Sequence, residues 1–144
     1  MKTRNQMPIS RIRSFDLDED AVQKAEIINN LWEWKDWEFR SFSADCNELN
    51  FLDGGPFYSD PPEIIINTST EHMDNSGWWD NVPEGRMVVV QNADLDIEDH
   101  VNKVDSIDEL KAKFPMAETL FAGELSFDYG NESSFKRFML IGRR

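Results

Sequence analysis

Cysteine, histidine and glycine are all scarce in this chain of 144 residues, which holds one Cys, two His and seven Gly. A single thiol, Cys46, closes no intramolecular disulfide. With two histidines it also falls short of a four-ligand zinc set, so no metal is expected. No apolar run approaches the roughly 20 residues needed to cross a bilayer. The opening MKTRNQMPISRIR is basic, but no apolar stretch of about 7–15 residues follows it. No secretory signal is visible, and a cytoplasmic location is expected. Positive charge is sparse in the middle of the chain. Lys2, Arg4, Arg11 and Arg13 precede the first acid and Lys136, Arg137, Arg143 and Arg144 follow the last. All 28 acids therefore lie in between, beside only seven of the 15 Lys and Arg, and the net charge is −13. A body of that sign repels phosphate backbones, so it is not expected to bind nucleic acid. An acidic DNA-mimic inhibitor is a sharper reading, but the acids are scattered over strands and loops as solubility alone would have them.

What is present is ample for a folded domain: 40% apolar residues, 12% of the chain aromatic. One domain over 1–144 is expected, with 1–9 a flexible basic arm. Strand and helix signals alternate in the first two thirds. RIRSFDL (11–17) reads as a strand, and a helix follows from about Glu19 to Leu31, with Ala21, Val22, Ala25, Ile28 and Leu31 near one face. Trp32, Trp34 and Trp37 are expected to close the end of that helix. WEFRSFSAD (37–45) is the next strand; EIIINTS (63–69) and RMVVVQN (86–92) are β-branched runs suited to buried parallel strands. S-I-D-E at Ser106–Glu109 is a capping box before a short helix that Pro115 ends. TLFAGELSFDY (119–129) and SSFKRFMLIGR (133–143) form a closing antiparallel hairpin.

This order, and the motifs within it, resemble the class I S-adenosylmethionine-dependent methyltransferases. SFDLDEDAV is similar to the family's second-strand motif, whose acid accepts hydrogen bonds from ribose hydroxyls; the matching residue is Asp16, with Leu17 beside it. FSADCNEL is similar to the third motif, which places Asp45 at the adenine amino group, flanked by Cys46. EIIINTSTEHM is similar to the fourth, where methyl donor and acceptor meet, and brings in Asn67, Thr68 and Ser69. NTSTEHM followed by WW, VPEG, VVVQN, HVN and RFMLIGR resembles a subgroup of small bacterial and phage methyltransferase-like proteins. The resemblance covers residues 9–144. It implies an α/β fold with a truncated, Rossmann-like methyltransferase sheet, mostly parallel and ending in the antiparallel hairpin. The implied cofactor is S-adenosylmethionine.

One departure is large. The family's first strand and its E/D-x-G-x-G loop have no counterpart; Asp53-Gly54-Gly55 is the only paired-glycine run, and it follows the third motif. In the family that strand lies between the second and the fourth. Its loss leaves ladder groups unpaired at about 1–3 kcal/mol for each one left dry. The second and fourth strand equivalents can close up directly, a neighbouring chain can supply a strand, or residues 1–9 can. The last is disfavoured by Pro8. An oligomer, or a complex with a strand-donating protein, is expected.

The residues also have plainer readings. Asp16 stands at a helix start, where acids are favoured anyway, and Asp18 and Asp20 read as caps. Cys46 reads as a packing residue, since no nearby base would activate it. His72 with Glu71 can act in general-base catalysis, or His72 can be an ordinary surface residue. Ser69 lacks the glycine-flanked elbow of a hydrolase nucleophile. Asp60-Pro61-Pro62 precedes its strand, unlike the D-P-P-Y motif of DNA amino-methylating enzymes. Trp78 and Trp79 can stack on a flat substrate or fill the core, and Tyr58 can form a lid. Two functions compete: a methyltransferase-like enzyme whose acceptor is unknown, and a non-catalytic truncated relative kept as a binding or assembly partner.

Overall fold

The computed structural model describes residues 9–30, 38–74, 77–130 and 134–144. The tryptophans at 32, 34 and 37 and all of the expected arm but Ile9 lie outside those residues. Among the described residues, six strands and three helices run in the order β1 (Arg11–Asp16), α1 (Glu19–Asn30), β2 (Glu38–Ser43), β3 (Ile64–Asn67), α2 (Gly77–Asp80), β4 (Met87–Ala93), α3 (Ile107–Lys113), β5 (Glu118–Asp128) and β6 (Ser134–Arg143). Local chemistry sets several of these boundaries. Asp18 Oδ1 accepts the Asp20 N–H at 2.8 Å to open α1. Ser106 Oγ accepts the Glu109 N–H at 3.1 Å, and Glu109 Oε2 reaches back to the Asp105 N–H at 2.8 Å, so the expected box caps α3. No helix of the described residues is long and apolar enough to cross a membrane.

The strands form two sheets. β1 and β2 pair in parallel by themselves, while the second sheet has the order β3-β4-β6-β5. In it β3 and β4 are parallel, and β6 is antiparallel to both β4 and β5. Two pairings are parallel and two antiparallel, so the expected α/β sheet with its antiparallel hairpin is present, with parallel pairings no more numerous than antiparallel ones. That balance has a physical source: a strand between β1 and β3 would contribute two further parallel pairings. Direct closure of β1 onto β3 does not occur, because they belong to different sheets.

Among the described residues, one face of the larger sheet carries the core. Ile65 of β3, Val88 and Val90 of β4, and Phe138 and Leu140 of β6 are buried against Trp78 of α2 and against Leu110 and Phe114, in and just beyond α3. On the opposite face, Ile66, Val89, Ile141 and Phe121 lie in register across all four strands. Ile66 is 65% exposed there. β3 is therefore not the fully buried strand its composition suggested: a parallel strand is buried on both sides only when helices cover both faces, and α2 and α3 lie on one. α1 is similar, with Ala21, Val22 and Ala25 partly covered but Ile27 and Ile28 exposed.

A one-sided core makes a simple prediction for equilibrium unfolding in denaturant. Phe114→Ala should cost about 3–5 kcal/mol, as for other buried aromatic truncations. Leu125→Ala, at a position 61% exposed, should change stability by less than about 0.5 kcal/mol. Comparable losses from both would contradict it.

Candidate functional site

Parallel pairing of β1 and β2 brings two acids to one end. Asp16 is in register with Ser43, and the Ala44 N–H donates to the Asp16 carbonyl at 3.1 Å. Asp45 follows directly and caps the short turn Cys46–Glu48, its Oδ1 accepting the Asn47 N–H at 2.8 Å. Asp16 Oδ1 accepts the Asp18 N–H at 2.9 Å, and Asp16 and Leu17 are both exposed. Cys46 shows how close the charges are. Burial first, then the charges of Asp45 and Asp16, push its thiol above the usual range. A thiol shifted that way stays protonated at neutral pH and packs against the core instead of reacting.

The loop after this turn fastens the two-stranded sheet to the rest. Arg13 Nε donates to the Phe57 carbonyl at 3.3 Å, and the Phe15 ring meets those of Phe57 and Tyr58 at 5.4 and 6.4 Å. Arg11 pairs with Asp60 at 2.9 Å and, chiefly through that hydrogen bond, lowers the Asp60 carboxyl below its usual range. Tyr58 is anchored rather than poised as a lid: its hydroxyl donates to the Asn50 carbonyl at 3.2 Å. Its ring lies over Gly54, where a Cβ would come within 2.2 Å of it. Gly55 holds a φ of 52°. The paired glycines are thus occupied in shaping this loop.

The carboxyl ends of β3 and β4 make the second polar region. Asn67 Oδ1 accepts the Ser69 N–H at 3.1 Å, and Thr68 and Ser69 are exposed. The chain then turns inward, so Thr70 and Glu71 are fully buried. Thr70 Oγ1 donates to the Gln91 carbonyl at 2.6 Å and accepts Asn92 Nδ2 at 2.8 Å. Asn92 also donates to the Asn102 carbonyl at 3.1 Å and accepts the Val104 N–H at 2.9 Å. The Asn102 N–H in turn donates to the Glu71 carbonyl at 3.0 Å. This satisfied network fixes the main chain at Glu71 to the segment 100–104. The Glu71 carboxylate takes Arg137 Nη2 at 3.3 Å on Oε1, while buried Oε2 has no hydrogen-bond partner. His72 is exposed, and its ring lies 4.6 Å from that of His100 at 82°.

His100, Asn92, Asn102 and Arg137 received no role from the sequence. Asn92 carried a signal, as an amide interrupting a buried apolar strand. His100 entered only as part of HVN, and nothing tied it to His72, 28 positions away. Trp78 and Trp79 are not available for stacking on a substrate, being 1% and 5% exposed. The one-turn helix α2 carries both indoles inward, each 5.4 Å from the Phe114 ring, and the Arg144 guanidinium lies over Trp79.

No protein-family model matches this sequence, and no curated protein does. Solved structures do match. One is an rRNA methylase from Streptococcus thermophilus, with a TM-score of 0.51 and 13% identity over 93% of this chain and 74% of that one. Another is the N-methyltransferase NodS from Bradyrhizobium japonicum WM9, with a TM-score of 0.55 and 8% identity over 93% and 74%. At such identities the likeness is one of fold alone, shared with these two methyltransferases.

Proposed function

We propose that this chain is an S-adenosylmethionine-dependent methyltransferase-like protein whose donor site is built at the carboxyl ends of β1, β2 and β3. One observation carries the reading: Asp16 and Asp45 converge at the ends of adjacent parallel strands, the position where α/β sheets bind ligands. A carboxylate at Asp16 suits the paired hydroxyls of a ribose, and one at Asp45 suits an exocyclic amino group, with Leu17 and Cys46 as apolar flanks. When bound, S-adenosylmethionine supplies an electrophilic methyl group on a sulfonium. The chain's own part is to hold donor and acceptor in line and to offset charge. Asn67, Thr68 and Ser69 would border the acceptor, with buried Glu71 behind them. His72 would be the base: the Asp99 carbonyl lies 3.2 Å from its Nδ1, and so leaves Nε2 as the nitrogen with a lone pair. The acceptor is left open.

These residues fit the nucleoside half of the donor better than the methionine half. No glycine-rich turn floors the crevice among the described residues, because Gly54 and Gly55 serve the Tyr58 loop. The separation of β1 from β3 favours a second reading for the isolated chain, as a non-catalytic binding or assembly partner. An apolar strand parallel to both, entering from a strand-donating protein or a second copy, would join the sheets and complete the site.

Calorimetry with S-adenosylmethionine tests the acid pair. Asp16→Ala should weaken binding by about 1.5–3 kcal/mol, the range for hydrogen bonds to a charged group. Asp20→Ala should leave affinity unchanged while reducing helix stability by about 0.3–1 kcal/mol. Equal small effects on affinity would mean that the motif is only a helix start. Light scattering tests the assembly: the mass should exceed that of one chain and fall on dilution. A stable monomer that turns over S-adenosylmethionine would contradict the second reading.

A further inference from the structure

Outside the acid pair, the described residues hold one group of three potential metal ligands, Glu71, His72 and His100. Each offers one donor atom, and the three donors lie within 4.8 Å of one another. A tetrahedral ion bound at about 2.0–2.1 Å from its ligands sets them about 3.3 Å apart. The remaining contraction falls to His72, whose exposed side chain is free of core packing.

Three independent features suit an ion there. Both imidazoles are oriented by main-chain carbonyls of one loop: Asp99 O lies 3.2 Å from His72 Nδ1, and Leu95 O lies 2.7 Å from His100 Nδ1. A carbonyl only accepts, so each Nδ1 carries the hydrogen and each neutral ring keeps its lone pair on Nε2. That is the arrangement by which carbonyls orient metal-binding histidines. Secondly, Glu71 is fully buried and Oε2 has no hydrogen-bond partner, although Arg137 takes Oε1. A buried carboxylate oxygen left bare is costly unless a cation faces it. Thirdly, the Thr70–Asn92–Asn102 network holds the main chain of Glu71 to the segment carrying His100.

We propose that Glu71, His72 and His100 bind a divalent first-row transition-metal ion, zinc fitting best, with a fourth position left for water or a ligand oxygen. Two imidazoles and one carboxylate suit zinc, whereas magnesium and calcium take oxygen sets. Arg137 satisfies one carboxylate oxygen and so favours monodentate ligation through the other. The site shares Glu71 and His72 with the methyl-transfer reading, but its test is separate, because the metal alone is the probe. With an ion bound, His72 serves as a ligand and not as a base.

The test is calorimetric titration of the purified, metal-stripped full chain with zinc chloride, with visible spectra of the cobalt(II) form as a second readout. One zinc per chain is expected, together with cobalt absorption of the intensity that marks tetrahedral coordination. Glu71→Gln, His72→Ala and His100→Ala should each weaken zinc binding at least tenfold. His72 is exposed, so its variant keeps the fold even if the Glu71 substitution disturbs it. Zinc affinity unchanged in the doubly substituted His72→Ala, His100→Ala chain would overturn the proposal, since that chain has no imidazole. Magnesium bound as tightly as zinc would overturn it too.

Discussion

A parallel strand has two hydrogen-bonding edges, and among the described residues β1 and β3 each use one. β2 is the ladder neighbour of β1 and β4 that of β3, and no described strand lies between the two pairs. Much else in the structure can be traced to that constraint. The protein holds together across the divide through side chains and a loop, with Phe15, Phe57 and Tyr58 packed together and Arg11 and Arg13 fastened to the segment 57–60. The inward face of the larger sheet is densely filled, while the other presents Ile66 and Phe121 to solvent. Both the bare edges and the bare face are what an α/β sheet shows when one strand and one helical layer are absent.

The polar chemistry divides along the same line. Asp16 and Asp45 stand at the end of the small sheet, where carboxylates suit a nucleoside. Glu71, His72 and His100 stand at the end of the large one, supported by a buried amide network that leaves little freedom at the main chain. Lys113 adds to that support, donating to Asn102 Oδ1 at 2.6 Å from the end of α3. The two regions are built differently. The first is exposed at Asp16 and half-buried at Asp45, its geometry set by local turns; the second is buried at Glu71 and fixed by contacts distant in sequence.

That contrast explains what could be read from the sequence. SFDLDEDAV and FSADCNEL gave strand, acid and turn correctly because those features depend on neighbours a few residues away: Asp16 and Asp45 each accept an N–H two positions on. The capping box at Ser106 was legible for the same reason. Burial was read less well. EIIINTS looked like a core strand, but whether Ile64 and Ile66 are covered depends on a helical layer that no local pattern encodes. Trp78 and Trp79 could be read as stacking or, more often for tryptophans in a small domain, as packing, and Phe114, 36 and 35 positions later, decided it. A lid at Tyr58 was one possible reading, and its contacts with Gly54 and Asn50, four and eight positions back, hold it in place. The grouping of Glu71 with His100 and Arg137 was invisible, because it is made by chain returns across β4 and β6.

The central claim is that β1 and β3 have open edges in the isolated chain, and hydrogen exchange resolved to single amides tests it most directly. In a strand paired on one side, amides alternate between a ladder partner and the open edge. Every second amide of Arg11–Asp16 and of Ile64–Asn67 should therefore exchange quickly, while those of Met87–Val90 in β4, flanked by β3 and β6, stay protected. Uniform protection along β1 and β3, equal to that of β4, in a chain shown to be monomeric would contradict the account.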